Sequence, residues 1–360
     1  MLNWTKKHGI SQFCSKDYFL QEKWVLIADE SIQFGNKKLL LVIAVPERRC
    51  SQVGALSYED LTPLVLKVGE SWKSENIVAE INHHIDLEQV SYCISDTGGN
   101  LTKAFKLMKC KHISDINHKF SLIIQSVFEK NQNLDDYTKA LKLLRSQKSV
   151  SKMARIVPPN QRIMSRFMNL TPLFEWGMKM IQLMHKNELT KEEKAALSFI
   201  EPLKEFIYDT YRLLIRLEKI QTILKNYGFS KKYMNRAKRL FSGMNSANVL
   251  KVKKQIINYF NELTSKADGK TICCSSDIIE SCFGRYKEIV KGNKSVGISD
   301  LCLCIAAMMG NFDSNRINQA METVSMEKVK EWKKNNISKT LFAEKVEMNK
   351  KIERNYISVS

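Results

Sequence analysis

Hydrophobic and polar positions change their period along this chain, and the changes divide it. Residues 24–28 form an uninterrupted apolar run that ends on Asp29, and residues 38–45 form a second one, rich in Leu, Val and Ile. Runs of this length and β-branched content predict strands buried on both faces. Gly35 and Asn36 between them tolerate positive φ, so the two runs are expected to pair as a hairpin, with a third strand over 64–68. Residues 71–87 place Trp72, Ile77, Val78 and Ile81 at helical spacing, and 90–95 make a short strand that ends at Asp96. Thr97, Gly98 and Gly99 break the chain, a helix follows through Leu101, Phe105 and Leu107, and a last short strand is expected at 112–115. This order predicts a mixed α/β layer.

Between 132 and 270 the strand signal gives way to helical periodicity, clearest over 197–224 and 249–263. Pro158, Pro159, Pro172 and Pro202 mark its turns, because proline is poorly tolerated inside a helix and favoured at its start. Beyond 270, Ile278, Ile279, Cys282, Phe283 and Tyr286 make one apolar helical stripe, with Ser276 as the expected N-cap. Another helix is expected over 298–309, and the chain from 326 onward is charged and helical, with Trp332 and Phe342 as anchors. The expected organisation is an N-terminal stub (1–23), a first α/β segment (24–131), an all-helical insertion (132–270), a closing α/β segment (271–325) and a charged helical tail (326–360).

Composition adds a partner class. With 44% hydrophobic and 26% charged residues, the 360-residue chain can bury a sizeable core, which excludes disorder. The formal charge is +19, and the helical insertion alone holds 27 Lys and Arg against 12 Asp and Glu, so +15 of it lies in one module. That skew exceeds what solubility requires and points to a polyanion. No run of 18 apolar residues is present, so no membrane span is expected. Nine cysteines at irregular spacing, without a Cys-x-x-Cys pair, fit reduced thiols in a cytoplasm. Cys110, His112 and His118 lack a fourth ligand for zinc, and Cys302 and Cys304 lie in an apolar run as small core residues.

Three acids stand where chemistry would put them: Asp29 after the first strand, Asp96 after a later one, and Glu280 in the first turn of a helix. An Asp after a strand is also a common turn former or cap. Asp29, however, follows an apolar strand directly, where an unpartnered charge is costly, and Asp96 is followed by two glycines that leave room for a bulky polyanion. Carboxylates from neighbouring strands and a packed helix can share hard cations, and oxygen ligands select Mg²⁺ or Mn²⁺ over zinc. Two such ions about 3.5–4 Å apart activate a water or a 3′-hydroxyl and stabilise the leaving oxygen in phosphodiester displacement. Asp277 competes with Glu280 for the third place, but it lies where a carboxylate serves the helix dipole, and Glu280 is preferred.

The segments WVLIADESIQFGNKKLLLVIAV, YCISDTGGNL, DINHK, PPNQRIMSRFMNL and SSDIIESCFGRYK resemble, in that order, the successive motifs of bacterial insertion-sequence transposases of the DDE type, from Trp24 to the C-terminal tail. The resemblance implies an RNase H-like α/β fold, a mixed sheet with flanking helices, interrupted by a helical insertion between the second Asp and the Glu. It implies that Asp29, Asp96 and Glu280 are catalytic and hold two Mg²⁺ or Mn²⁺ ions. Lys287, two helical turns after Glu280, matches a Glu-then-Lys spacing in which the lysine approaches a DNA phosphate. Trp176 is the tryptophan of the insertion, and in related transposases such a residue can stack on a base extruded near the cut, although its spacing with Leu173, Phe174 and Met178 also reads as core.

Two positions depart from the family pattern. Asn117 precedes His118 where the motif usually reads Asp-x-Thr-His-Lys, and only 23 residues precede Trp24 where a DNA-recognition module normally stands, so that module is expected to be missing. The implied function is metal-dependent cleavage and strand transfer at transposon ends by a homo-oligomer on DNA, in a bacterial cytoplasm at the nucleoid. A DNA-binding remnant without activity, or another RNase H-like metal nuclease, are the alternatives. Arg155, Arg162 and Arg166 around Pro158 and Pro159, and the cluster Lys231, Lys232, Arg236, Lys238 and Arg239, are the expected phosphate contacts.

Overall fold

The first two apolar runs fold back on each other as β1 (Trp24–Phe34) and β2 (Lys37–Pro46), antiparallel from Trp24 opposite Pro46 to Phe34 opposite Lys37. The structure is a computed structural model and describes residues 2–34, 37–148, 152–161, 167, 170–291, 298–311, 313–337, 346, 348 and 349. Gly35, Asn36, Arg162, Arg166 and Phe342 lie outside the described residues. The chain forms two compact units, Met1–Ser114 with Ser275–Ser360, and Asp115–Cys274.

The first unit opens with α1 (Leu2–Ser11), then β1, β2, the short α2 (Glu47–Cys50), β3 (Thr62–Gly69), α3 (Ser74–His84), β4 (Val90–Ser95), α4 (Gly99–Leu107) and β5 (His112–Ser114). The second unit contains α5 (Ile116–Phe128), α6 (Gln132–Lys148), α7 (Thr171–His185), α8 (Lys191–Ala196), α9 (Ile200–Tyr227), α10 (Lys231–Arg239) and α11 (Ala247–Ala267). The chain then returns to the first unit with α12 (Asp277–Val290), α13 (Leu303–Ala307), α14 (Ser314–Thr323) and α15 (Met326–Asn336).

The five strands make one mixed α/β sheet in the order β3-β2-β1-β4-β5. β2 is antiparallel to β1 and β3, whereas β1, β4 and β5 pair in parallel. A tight turn can join only antiparallel neighbours, so the chain enters β4 and β5 through the crossover helices α3 and α4. Trp24, Leu26 and Ala28 of β1 and Leu40, Val42 and Ala44 of β2 meet Ile77 and Ile81 of α3 and Leu101, Ala104 and Phe105 of α4 in one apolar cluster. Val25, Leu26 and Ile27 are buried on both faces of the sheet, each contributing about 1.5–3 kcal/mol of transfer free energy.

The helices α1 and α15 belong to this unit. α1 packs on α13, α14 and α15, and α15 also reaches β3. The helix expected over 298–309 is split into a 3₁₀ turn, Asp300–Cys302, and α13. The helical unit begins at Asp115, earlier than the expected 132. Its α5 carries the apolar stripe Ile116, Phe120, Ile123, Ile124 and Phe128, and it packs on α9 and α11. An apolar stripe shows that a helix needs a partner without naming it, which is why the sequence leaves α5 with the sheet.

The 28-residue α9 is the hub of the second unit and contacts α5, α6, α7, α10 and α11. Where α6 and α7 meet, the buried Tyr137 hydroxyl donates to the Leu173 carbonyl at 2.7 Å, over Gly177. A Cβ at Gly177 would lie 2.4 Å from Tyr137 Oη and 2.9 Å from Ile207 Cγ2. Gly177→Ala is therefore expected to destabilise the helical unit by about 1–3 kcal/mol despite the better helix propensity of alanine. A lower urea midpoint at unchanged slope checks this, and an unchanged midpoint would show that α7 shifts without strain.

Candidate active site at the end of the central strands

Asp29 and Asp96 are brought level by the parallel register of β1 and β4. Val25 pairs with Tyr92, Leu26 with Cys93 and Ile27 with Ile94. Two residues further, β4 has ended after Ser95 and the chain is at Asp96, while β1 has reached Asp29. Asp29 is not the end of its strand, as the apolar run suggested: β1 continues to Phe34, with Asp29 opposite Leu41 and Glu30 opposite Leu40. The apolar run ends where the β4 side of β1 becomes open, not where the hairpin ends.

Asp96 is held by the turn into α4. Its Oδ1 accepts the Gly98 N–H at 2.9 Å, and Ser95 Oγ donates to the Asp96 carbonyl at 2.8 Å while standing 3.0 Å from His112 Nε2. A Cβ at Gly98 would come within 2.8 Å of Asp96 Oδ1, so glycine here permits the close turn.

Glu280 lies exposed in the first turn of α12, the helix that packs against β1. Ser276 occupies the N-cap position but makes no capping bond with its side chain; instead the Asp277 N–H donates to Ser275 Oγ at 3.3 Å. Ile279, Cys282, Phe283 and Tyr286 are the buried stripe of α12, and none of them belongs to the cluster on the α3 and α4 side of the sheet. Strand alternation puts Val25, Ile27 and Asp29 on the face away from that cluster, the face available to α12. Tyr58 Oη and Ser281 Oγ, 2.7 Å apart, tie the loop before β3 to the same helix turn. Lys287 is exposed two turns further on.

A fourth acid was missed by the sequence reading. Glu30 follows Asp29 on the opposite face, its side chain 11% exposed and 3.9 Å from Lys38 Nζ. Burial raises its carboxyl above the usual range, Lys38 opposes that, and the charge of Asp96 adds to it. Its Oε1 is buried with no hydrogen-bond partner among the described residues. The Asp-Glu pair directly after an apolar strand was the signal available for it. Among the described residues no three His, Cys, Asp or Glu side chains are gathered closely enough to form a ready-made metal cage. Asp29, Asp96 and Glu280 therefore occupy neighbouring elements without a closed ligand set.

The expected phosphate contacts divide in the helical unit. Arg155 is engaged internally: its Nε and Nη2 donate to the Glu193 carboxylate at 2.7 and 2.6 Å, and Nη2 also reaches the Glu188 carbonyl. Glu193 also accepts the Thr190 N–H, closing the capping box of α8. Arg155 is thus held by Glu193 while its side chain stays more than half exposed. Its hydrogen bond, followed by that of the Thr190 backbone, holds the Glu193 carboxyl down at about 2, against an ordinary 4.5. A depressed carboxylate contributes stability that is complete above the unfolded value and lost as pH falls from 4.5 to about 2. Arg155→Met is expected to flatten the thermal midpoint across this window, and parallel pH profiles of variant and parent would contradict the linkage.

Trp176 follows the core reading of its spacing: it is 8% exposed on α7 among Leu173, Phe174 and Met180, and its Nε1 has no partner among the described residues. α10 is different. Met234 and Ala237 face inward, and α10 packs on α9 and α11. Lys231, Lys232, Arg236 and Arg239 are exposed and Lys238 half-buried, and among the described residues none of the five pairs with an acid. Lys232 Nζ lies 5.4 Å above the Tyr233 ring, which stacks on Tyr227 at 4.9 Å.

Among the described residues no helix is long and apolar enough to cross a membrane. No protein-family model matches the chain, and no curated protein matches it.

Proposed function

We propose that the protein is the catalytic chain of a DDE-type DNA transposase, on an RNase H-like fold, which cleaves phosphodiester bonds at transposon ends and transfers the strand to target DNA. The observation that carries this reading is the level placement of Asp29 and Asp96 on the adjacent parallel strands β1 and β4, with Glu280 on a helix packed against β1. The strand order with one reversed strand, and the helical unit inserted between the second and third acids, support it further.

The donor set suits hard divalent ions. Three carboxylates supply only oxygen, the donor set that hard cations take. Asp29, Asp96 and Glu280 would hold two Mg²⁺ or Mn²⁺ ions, whose chemistry is to make a water or 3′-hydroxyl nucleophilic and to stabilise the departing oxygen. Lys287 on the Glu280 face offers a cation to a nearby phosphate, and the α10 cluster offers five more along the backbone of DNA. Assembly as a homo-oligomer on paired ends belongs to the same proposal.

The test is incubation of the protein with DNA carrying the element's ends, with and without Mg²⁺ or Mn²⁺. Metal-dependent nicks at the ends, followed by joining of the 3′-hydroxyl to a second DNA, are expected. Tight DNA binding with no nicking in either metal would favour a DNA-binding remnant, to which the α10 cluster is equally suited. Nicking without joining would favour another metal nuclease.

A further inference from the structure

Two of the nine cysteines form a pair. Cys93 lies in β4 and is fully buried, and Cys110 lies half-buried in the turn between α4 and β5. Their Sγ atoms are 3.1 Å apart and share one hydrogen bond. The backbone at both ends is fixed: the Cys93 N–H donates to the Lys111 carbonyl at 2.8 Å, and the Cys110 N–H donates to the Phe105 carbonyl at 3.0 Å. A disulfide requires the sulfurs at about 2.0 Å, so closure needs a movement of roughly 1 Å, within reach of side-chain rotation.

The two thiols are unequal in a way that suits stepwise oxidation. The hydrogen bond from Cys93, with Lys111 nearby, lowers the Cys110 thiol below the ordinary range, whereas burial raises Cys93. Cys282 and Cys304, by contrast, are pushed by burial to about 12 and are poor nucleophiles.

We propose that Cys93 and Cys110 are a dithiol modification site, oxidised to an intramolecular disulfide by hydroperoxides. The Cys110 thiolate attacks one peroxide oxygen, the O–O bond breaks, and the leaving hydroxide takes a proton to become water, leaving a sulfenic acid. Cys93 then attacks the Cys110 sulfur; the S–S bond forms, the S–O bond breaks, and the departing hydroxide leaves as water with the Cys93 proton. Two thiols lose two electrons and one hydroperoxide gains them. The bond closes a loop that contains α4 and ties β4, three residues before Asp96, to the start of β5. This chemistry is independent of the transposase reading.

The full chain, reduced and then freed of reductant, is treated with hydrogen peroxide and analysed by mass spectrometry. Expected are a mass lower by about 2 Da, loss of two alkylatable thiols, and one linked peptide pair containing Cys93 and Cys110 that dithiothreitol separates. In Cys93→Ser, which keeps a hydroxyl donor beside the Cys110 sulfur but cannot close a disulfide, the reaction is expected to stop at a sulfenic acid on Cys110 that a dimedone probe captures. If that variant does not fold, Cys110→Ser, altered at the half-buried partner, is expected to remove the linked pair by itself. Cys93 and Cys110 still alkylatable after treatment, linkage among other cysteines, or oxidation of Cys110 to sulfinic acid without linkage would each overturn the proposal.

Discussion

Asp29→Asn, Asp96→Asn and Glu280→Gln are each expected to reduce metal-dependent DNA cleavage by about 10³-fold or more, the equivalent of roughly 4 kcal/mol in the transition state. Each exchange replaces a carboxylate by a neutral amide of the same shape, so it removes a ligand charge and leaves the packing unchanged. The fold should survive all three. Asp29 keeps its backbone pairing with Leu41, an amide oxygen at position 96 still accepts the Gly98 N–H, and Glu280 is exposed. DNA affinity, set by Lys and Arg, should remain within about threefold. Asp277→Asn is the matched control, since Asp277 sits half-buried at the very start of α12, and it should retain cleavage. Cleavage surviving in any of the three variants would remove that residue from the mechanism. If Asp277→Asn rather than Glu280→Gln loses activity, the third ligand moves to Asp277.

Replacing Lys231, Lys232, Arg236, Lys238 and Arg239 together by Gln should have the opposite profile. Each residue that touches a phosphate contributes about 0.9 to the slope of log affinity against log salt, so the slope should shrink by up to about 4.5, with affinity at 0.1 M salt falling by about 10⁴-fold if all five make contact. The fold should tolerate the change, because the buried side of α10 is carried by Met234 and Ala237. Lys231 and Lys232 stand in the first turn of α10, the positive end of its dipole, where each cation disfavours the helix by about 0.3–1 kcal/mol. Replacing Lys231 and Lys232 alone should therefore slightly raise thermal stability while DNA affinity falls, whereas Arg236, Lys238 and Arg239 stand in the last turn, where the dipole favours cations. Unchanged salt dependence would place the phosphate contacts elsewhere in the chain.

Much of the sheet was legible because its signals are local. The apolar run before Asp29, the Leu-Val-Ile run of β2 and the 90–95 run ending at Asp96 each carry the pattern of a buried strand, and β4 falls at Val90–Ser95 as read. α4 begins at the glycines that follow Asp96, and the long helices α9 and α11 follow the apolar period within a few residues. The candidate acids stood out for the same reason: a charge directly after an apolar run is visible without knowing what lies beside it.

What the sequence could not decide depends on partners distant along the chain. Nothing in the β1 and β4 segments states that they pair in parallel with Ile27 opposite Ile94, and that register alone makes Asp29 and Asp96 neighbours. The stripe of α5 is equally compatible with a sheet or a helix, and only packing assigns it to α9 and α11. Arg155 and the α10 cations are indistinguishable as basic residues, yet one meets Glu193 across 38 positions and the others meet no acid among the described residues. Trp176 is the opposite case, because its spacing with Leu173 and Phe174 already reads as core and it is buried. Residue type and period thus determined the strands, the helices and which acids are candidates, because those follow from local conformational preference and burial. Tertiary structure alone decided which of those groups stand together and which charges remain available, because proximity across the chain is set by long-range packing that no local pattern encodes.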